Sequence, residues 1–328
     1  EGLKKQGVSV IFISHRFEDM YRLADRVTVF RDGKYINTWD IYGLDNHEFV
    51  VAMVGREIVD FFPKRTTVPG EEILKVEGLS RAGYFKDVSF SLKSGEVLAL
   101  TGLVGAGRTE VCEALYGISP YNAGTISLNG KTLNHLSTDQ IISEGIGYLP
   151  EDRLKQGLVL RWEIAKNISL SALKKFSKLG WIDKKKENIE AKKLAEKLTV
   201  KAVSVHDLVS TLSGGNQQKV IVAKLLTSDM KVIILDEPTK GVDVGAKLSI
   251  YNIMNDLVAA GYGIIMVSSE MPEVLGMSDR IVVMKDGRVT ATFNAKDADQ
   301  ETILQAAMDD HAQFERARQN RNNYETAK

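Results

Sequence analysis

One segment constrains this fold more than any other: Gly102-Leu103-Val104-Gly105-Ala106-Gly107-Arg108-Thr109. An apolar run at residues 97–101 precedes it and reads as a buried strand. Residues 109–116 follow and read as the start of a helix. Glycines permit the tight, partly left-handed path that such a strand-to-helix turn needs. The spacing G-x-x-x-x-G-[K/R]-T lets successive backbone N–H groups wrap phosphate oxygens, and the helix N-terminus adds partial positive charge. Gly102, Gly105, Ala106, Gly107, Arg108 and Thr109 are therefore candidate phosphate-binding residues. The departure is Arg108, where lysine is expected; arginine keeps the charge but is bulkier and planar.

A second segment supplies acids. Val232-Ile233-Ile234-Leu235 is a strand-like run that ends in Asp236-Glu237. Open α/β sheets place ligands at the C-terminal ends of their strands. Asp236, with the Thr109 hydroxyl, is a candidate Mg²⁺ site. Glu237 is a candidate catalytic group that orients and polarises an attacking water. Strands are also predicted at residues 73–77, 88–92, 264–267 and 280–284, and helices at 184–198 and 246–260. In the first of these helices Ile189, Leu194 and Leu198 form the expected apolar stripe. Strands alternating with helices predict an α/β domain with a partly parallel sheet.

The chain also repeats itself. Residues 3–35 match residues 257–289 at a constant offset of 254, without a gap. Leu3 pairs with Leu257, Gly7 with Gly261, Ser14 with Ser268, and Asp25-Arg26 with Asp279-Arg280. A period this long indicates tandem domains. The second copy has about 180 residues upstream of its matching segment and the first has almost none. The expectation is a duplicated domain whose first copy lacks its N-terminal three-quarters. The absence of a start methionine agrees with a fragment. Expected boundaries are residues 1–62 for the end of copy one and 63–72 for a Pro/Gly-containing linker. Residues 73–310 make a complete copy two, and 311–328 a polar tail.

Composition excludes several classes. A length of 328 residues suits about two domains, and 44% hydrophobic with 26% charged residues is a globular balance. Lys+Arg and Asp+Glu both number 43, so a globally basic nucleic-acid binder is disfavoured. A single cysteine, Cys112, permits no intramolecular disulfide. No apolar run approaches the 18 or so residues that span a bilayer.

Leu212-Ser213-Gly214-Gly215-Asn216-Gln217-Gln218-Lys219 is the discriminating segment. It resembles the signature motif of ATP-binding cassette ATPases. Asp236-Glu237-Pro238-Thr239-Lys240-Gly241-Val242-Asp243 resembles their Walker B strand and D-loop. The resemblance covers nearly the whole chain. The glycine-rich loop, Tyr148-Leu149-Pro150-Glu151-Asp152-Arg153 and the Asn-Gln-Gln signature are similar to the second cassette of one subgroup. That subgroup is the tandem-cassette ATPases of bacterial monosaccharide importers (ribose, galactose, xylose and arabinose).

The resemblance implies an α/β P-loop cassette with a parallel core sheet, an antiparallel β subdomain and a helical signature subdomain. It implies ATP and Mg²⁺ as cofactors and transmembrane permease subunits as partners. It also implies a periplasmic or extracellular sugar-binding protein as an indirect partner, no nucleic acid, and a peripheral place on the cytoplasmic face of the bacterial inner membrane. Ser213, Gly214, Gly215 and Gln217 would act on nucleotide held by the opposite cassette. Glu151 stands where the family often has the Q-loop glutamine.

In this family a histidine on the next strand's end contacts the γ-phosphate. Copy one has His15 there, a candidate catalytic residue; the 254 offset puts Ser269 in its place in copy two. Arg108, Glu151 and Ser269 together imply an asymmetric pair. The more competent site would combine copy one's phosphate loop and His15 with the signature here. The weaker site would use the loop at 102–109, completed by the missing first-cassette portion of the polypeptide. Three readings follow: an ATPase that energises sugar import, a nucleotide-binding scaffold with little hydrolysis of its own, and a non-transport cassette protein. Tyr84 and Phe85 precede the loop where the family places an adenine-stacking aromatic, and core packing is the preferred reading for both. The lysines at 184–193 read as a solvated helix face interleaved with Glu187, Glu190 and Glu196. Trp162 and Ile164 would face the membrane subunit or fill the core.

Overall fold

The 254-residue repeat reappears as repeated backbone register. Strands β1 (Arg26–Arg31) and β2 (Lys34–Asp40) form an antiparallel hairpin that pairs Val27 with Trp39 and shifts register between Val29 and Phe30. Residues 280–294 form a hairpin that pairs Ile281 with Phe293 and shifts register between Val283 and Met284. Every one of these positions is separated by 254. The computed structural model describes residues 2–13, 20, 22–31, 33–42, 52, 61–63, 67–178 and 180–308. Its contacts divide the chain into two units: Glu1–Phe61 with Gly241–Ser249, and Phe62–Lys240 with Ile250–Lys328.

In the first unit the hairpin carries a small core of Met20, Val27, Val29, Ile41 and Ala52. A helical turn at Gly2–Lys5 is tied to it by an ion pair from Lys4 to Asp25 at 2.5 Å. Residues 9–13, the counterpart of a buried strand in the second unit, are not in a sheet, and Ile11 and Ile13 are fully exposed.

The second unit has two sheets. An antiparallel sheet has the order β4-β3-β6-β7, from β3 (Glu72–Arg81), β4 (Phe85–Lys93), β6 (Ala123–Leu128) and β7 (Lys131–Thr132). The core sheet has the order β14-β13-β5-β12-β11-β8. Its strands are β5 (Val97–Gly102), β8 (Ile146–Leu149), β11 (Val232–Asp236), β12 (Gly263–Val267), β13 (Arg280–Lys285) and β14 (Arg288–Asn294). All its pairings are parallel except β13 with β14. Parallel strands covered on both faces need continuous apolar runs. Strands β8, β11 and β12 meet that need, with every residue buried. The charged pair kept in the repeat anchors β5: Asp279 accepts from the Val97 N–H at 2.8 Å, and Arg280 reaches Glu96 and the Ser91 carbonyl.

Helices α1 (Arg108–Leu115) and α2 (Thr138–Glu144) flank the sheets. Helix α3 (Ile164–Ser169) packs on α4 (Lys184–Lys197) and α5 (Gly214–Leu226), which together make a helical layer. A two-residue-strand hairpin, β9 (Ser177–Lys178) with β10 (Trp181–Ile182), precedes α4. Helices α6 (Val244–Ala259), α7 (Met271–Met277) and α8 (Gln300–Met308) complete the chain.

Several expectations need correction. Ile189 is 59% exposed, and the buried face of α4 is Ala191, Leu194 and Ala195, with Leu198 at its C-cap. Glu187 is not on the solvated face: it is buried and accepts from the Ser169 hydroxyl. Lys192 and Lys193 do pair with Glu196 and Glu190 on that face. Ile164 is core while Trp162 is partly exposed, and Cys112 is fully buried. The expected polar tail at 311–328 lies outside the described residues.

The linker enters the second unit through one aromatic ring. Phe62 sits on Gly276 of α7, where an added Cβ would lie 2.2 Å from the ring. The Tyr251 ring is 5.4 Å away, and Asn255 donates to the Pro63 carbonyl at 2.9 Å. Gly276→Ala is expected to destabilise the second unit by about 1–3 kcal/mol through overpacking. Urea denaturation checks this, and Phe62→Ala combined with it should cost less than the sum of the two single changes.

Candidate functional site

Strand β5 delivers the glycine-rich loop at the centre of the sheet, between β13 and β12. Gly102 has φ +148°, and a Cβ there would stand 2.1 Å from the Met284 carbonyl oxygen. No side chain fits this crossing, so the loop leaves the sheet only from glycine. Gly107 at φ +91° begins α1, with no side-chain cap. The first N–H groups of a helix have no intrahelical acceptor, so an uncapped start offers them outward. Leu103, Val104 and Gly105 lie on the surface, whereas Ala106 is buried and hydrogen-bonded through its carbonyl to the Gly287 N–H at 3.0 Å. The loop is thus open on one side and pinned on the other.

Arg108 turns back into the protein. Its NH1 donates to the Ser268 carbonyl at 3.1 Å and lies 4.0 Å from Glu237 Oε1. Glu237 sits in a left-handed turn at φ +49°, after the last residue of β11. Its N–H donates to the Val267 carbonyl at 2.9 Å, and its Oε2 accepts from the Ser269 hydroxyl at 3.2 Å. One carboxylate oxygen of Glu237 thus accepts from Ser269, and the other lies 4.0 Å from the Arg108 guanidinium.

Asp236 is fully buried at the end of β11. Its Oδ2 accepts from the Tyr148 hydroxyl at 3.0 Å, while its Oδ1 has no partner. Burial pushes its pKa up to about 6; the Thr109 and Tyr148 hydroxyls oppose that rise, and the charges of Glu151 and Glu237 add to it. Tyr148 in turn is pushed far above its usual range by burial, then by the Asp236 charge. An orphaned buried oxygen beside a threonine hydroxyl is a place for a hard cation. Among the described residues no three His, Cys, Asp or Glu groups converge as a metal cage. An ion held by Thr109 and Asp236 would complete its shell with water and phosphate, as Mg²⁺ does in such sites. The residues fit.

Around this pair a second ring of contacts closes. Lys240 pairs with Glu151 at 2.6 Å, and Arg153 donates to the Lys240 carbonyl at 3.0 Å. Gln218 of α5 donates to the Pro238 carbonyl at 2.9 Å. Gln217 is buried and turned inward, donating to the Val209 carbonyl at 3.3 Å and accepting from Arg153 at 3.4 Å. Ser213 is the exposed N-cap residue of α5, next to Gly214 and a buried Gly215. Among the described residues no hydrogen bond or ion pair joins Ser213, Gly214 or Gly215 to the loop at 102–109. His15 lies outside the described residues.

Tyr84 corrects the core-packing expectation: it is 52% exposed beside the loop, with the Arg81 guanidinium 3.9 Å over its ring. Phe85 does fill the core. Sequence reading missed Tyr148, Arg153, Thr239, Ser268 and Glu273 as site residues.

The comparisons with known proteins agree with this geometry. Residues 85–240 match the ABC transporter family. The chain is 47% identical over 305 residues to the ribose import ATP-binding protein RbsA of Bacillus licheniformis, covering 93% of this chain and 62% of that protein. The chain is similar to ATP-binding cassette proteins. A putative ribose/galactose/methyl galactoside import ATP-binding protein of Agrobacterium fabrum is 47% identical over 307 residues, covering 93% of this chain and 61% of that one. The chain thus spans about three-fifths of the length of these curated relatives. Among solved structures, a nucleotide-free ATP-binding cassette from an ABC transporter superposes with TM-score 0.60 at 23% identity, over 68% of this chain and 92% of that one. A dimeric post-hydrolysis cassette bound to ADP and Pi gives TM-score 0.60 at 19% identity, over 68% and 99%. The predicted fold, a parallel core sheet with an antiparallel β subdomain and a helical subdomain, is the observed one.

The buried charge on Asp236 makes a testable demand on stability. Its folded pKa of about 6 lies above the ordinary 3.8, so the folded state holds the proton more tightly. The associated stability is present below about pH 4 and lost as pH rises through about 6, a cost of about 3 kcal/mol. Asp236→Asn should therefore leave stability near pH 4 little changed and raise it near pH 7 by up to that amount. Urea unfolding of the ligand-free protein at both pH values checks the difference.

Proposed function

We propose that residues 62–308 form a nucleotide-binding cassette that takes Mg·ATP at the loop 102–109, in a protein that energises sugar import. The observation that carries the reading is Asp236 Oδ1, buried and without a hydrogen-bond partner, close to the Thr109 hydroxyl and to a glycine loop that is open to solvent at Leu103, Val104 and Gly105. Backbone N–H groups of Gly105, Gly107, Arg108 and Thr109 bind phosphate oxygens, while that of Ala106 donates to the Leu103 carbonyl at 3.1 Å and holds the loop's shape. Thr109 and Asp236 hold Mg²⁺, which supplies charge neutralisation at the phosphates. Glu151 lies on the same side, its charge held by Lys240. Ser213, Gly214 and Gly215 serve nucleotide on a facing cassette.

The relatives' printed functions, ribose import and ribose/galactose/methyl galactoside import, give the substrate class. Transmembrane permease subunits are then the partners, a binding protein acts indirectly, and the place is peripheral on the inner membrane. No helix of the described residues is long and apolar enough to cross a membrane. Residues 1–61 are the end of a preceding cassette in this reading. Its support is the shared hairpin register, and the exposure of Ile11 and Ile13, whose counterparts Ile265 and Val267 are buried between strands. The upstream strands of that cassette would cover them.

The second site is the slower of the pair. Glu237 lies 4.0 Å from the Arg108 guanidinium and accepts from the Ser269 hydroxyl at 3.2 Å, and both make the lone pairs left for a water weaker acceptors. Replacing the two together tests this. In the full-length chain with His15→Ala to silence the first site, Arg108→Lys with Ser269→His should raise ATP turnover at least fivefold. Adding Glu237→Gln should remove the gain. No gain, or a gain that survives Glu237→Gln, contradicts the reading.

A further inference from the structure

One buried carboxylate near the site is not used by anything above. Glu273 of α7 is 1% exposed. Its Oε1 accepts from the Thr239 hydroxyl at 3.0 Å. Its Oε2 accepts from the Ser268 hydroxyl. The Tyr251 hydroxyl of α6 also donates to it. Thr239 lies two residues after Glu237, and Ser268 lies one residue before Ser269. One carboxylate thus joins the turn that carries Glu237 to the strand end that carries Ser269 and receives Arg108.

We propose that Glu273 is a positioning residue: it sets Glu237, Ser269 and the Ser268 carbonyl against one another without touching nucleotide. The physical need is clear on both sides. Glu237 holds a left-handed φ of +49°, a conformation that costs about 1 kcal/mol or more and persists only where neighbours enforce it. Its own N–H is held by the Val267 carbonyl and the Pro238 carbonyl by Gln218, while Thr239 is held by Glu273. On the other side, the Ser268 hydroxyl also accepts from the Glu270 N–H at 3.1 Å, which starts α7. A buried carboxylate is costly unless its oxygens are satisfied, and here three hydroxyls from three different elements satisfy it. The helix itself is held by Phe62, seated on Gly276, with the Tyr251 ring 5.4 Å from the Phe62 ring. The repeat adds weight: at the 254 offset Ser268 and Glu273 fall on Ser14 and Asp19, a hydroxyl and a carboxylate again, flanking His15.

The proposal rests on the nucleotide reading only for what Glu237 does; the positioning itself is a property of the chain. The test is Glu273→Leu, Glu273→Gln and Thr239→Val in the full-length chain, each followed by amide hydrogen exchange, Mg·ATP affinity and steady-state kcat and KM. Glu273→Leu is expected to speed exchange at residues 237–240 and 267–270 at least tenfold, with α5 and β5 unchanged. In the background in which the second site turns over, kcat should fall at least fivefold, with KM and Mg·ATP affinity within threefold. Glu273→Gln keeps an acceptor and should restore exchange and kcat to within threefold of wild type. Thr239→Val, which leaves Glu273 in place, should loosen 237–240 and spare 267–270. Unchanged exchange at both segments in Glu273→Leu overturns the proposal. So does loosening spread evenly over the unit, with KM rising alongside the fall in kcat. If the wild-type second cassette binds no Mg·ATP, the functional reading fails, and the exchange pattern still decides the role of Glu273.

Discussion

A carboxylate buried with one oxygen unpartnered is the constraint on which the rest of the second unit depends. Asp236 lies at the end of a strand whose every residue is inaccessible, and only Tyr148 and Thr109 offset its burial. Nothing in an apolar core calls for such a group. The surrounding elements hold it there: a parallel sheet with β11 inside it, a glycine crossing at Gly102 that brings α1 and Thr109 close, and a turn gripped from several sides. Near neutral pH the stability lost to this buried charge is recovered by a bound cation, as it is by protonation at low pH. That ties the residue to a ligand rather than to packing.

The turn that carries Glu237 is gripped from three sides. Gln218 reaches it from α5, Arg153 from the segment after β8, and Glu273 from α7. These contacts link the signature helix, the loop carrying Glu151, and the strand end carrying Ser269. Arg108 and Ser269 then lie against the two oxygens of Glu237, one as an ion pair at 4.0 Å and one as a hydrogen bond at 3.2 Å. The two side chains are thus not independent features. They converge on one carboxylate, which is retained but engaged.

Much of this was legible in the sequence, for definable reasons. The loop at 102–109 was legible because only glycine meets its backbone demands, and β11 because a strand buried on both faces must be continuously apolar. The hairpin register was legible because the repeat has no gap. Other features were hidden because they depend on partners distant in sequence. Tyr148 reads as an aromatic in a short apolar strand, and nothing local says its hydroxyl meets Asp236. Glu273 follows a proline on a seven-residue helix and looks like a first-turn acid. Its burial comes from Thr239, Ser268 and Tyr251, contributed by three other segments. Ile189 and Glu187 exchanged their expected faces because Ser169 supplies a hydrogen bond inside the helical layer. Tyr84 and Phe85 look alike by spacing, and only the fold shows that Phe85 fills the core while Tyr84 stays exposed.

The most direct measurement is Mg²⁺-dependent ATP binding to the loop 102–109 of the full-length chain, with single-turnover hydrolysis followed at that site alone. The account predicts binding that requires Mg²⁺ and is lost in Thr109→Ala, with hydrolysis much slower than at the first site. Rapid single-turnover hydrolysis at the loop 102–109, abolished by Glu237→Gln with Arg108 and Ser269 in place, would contradict it, because Glu237 would then be free to act.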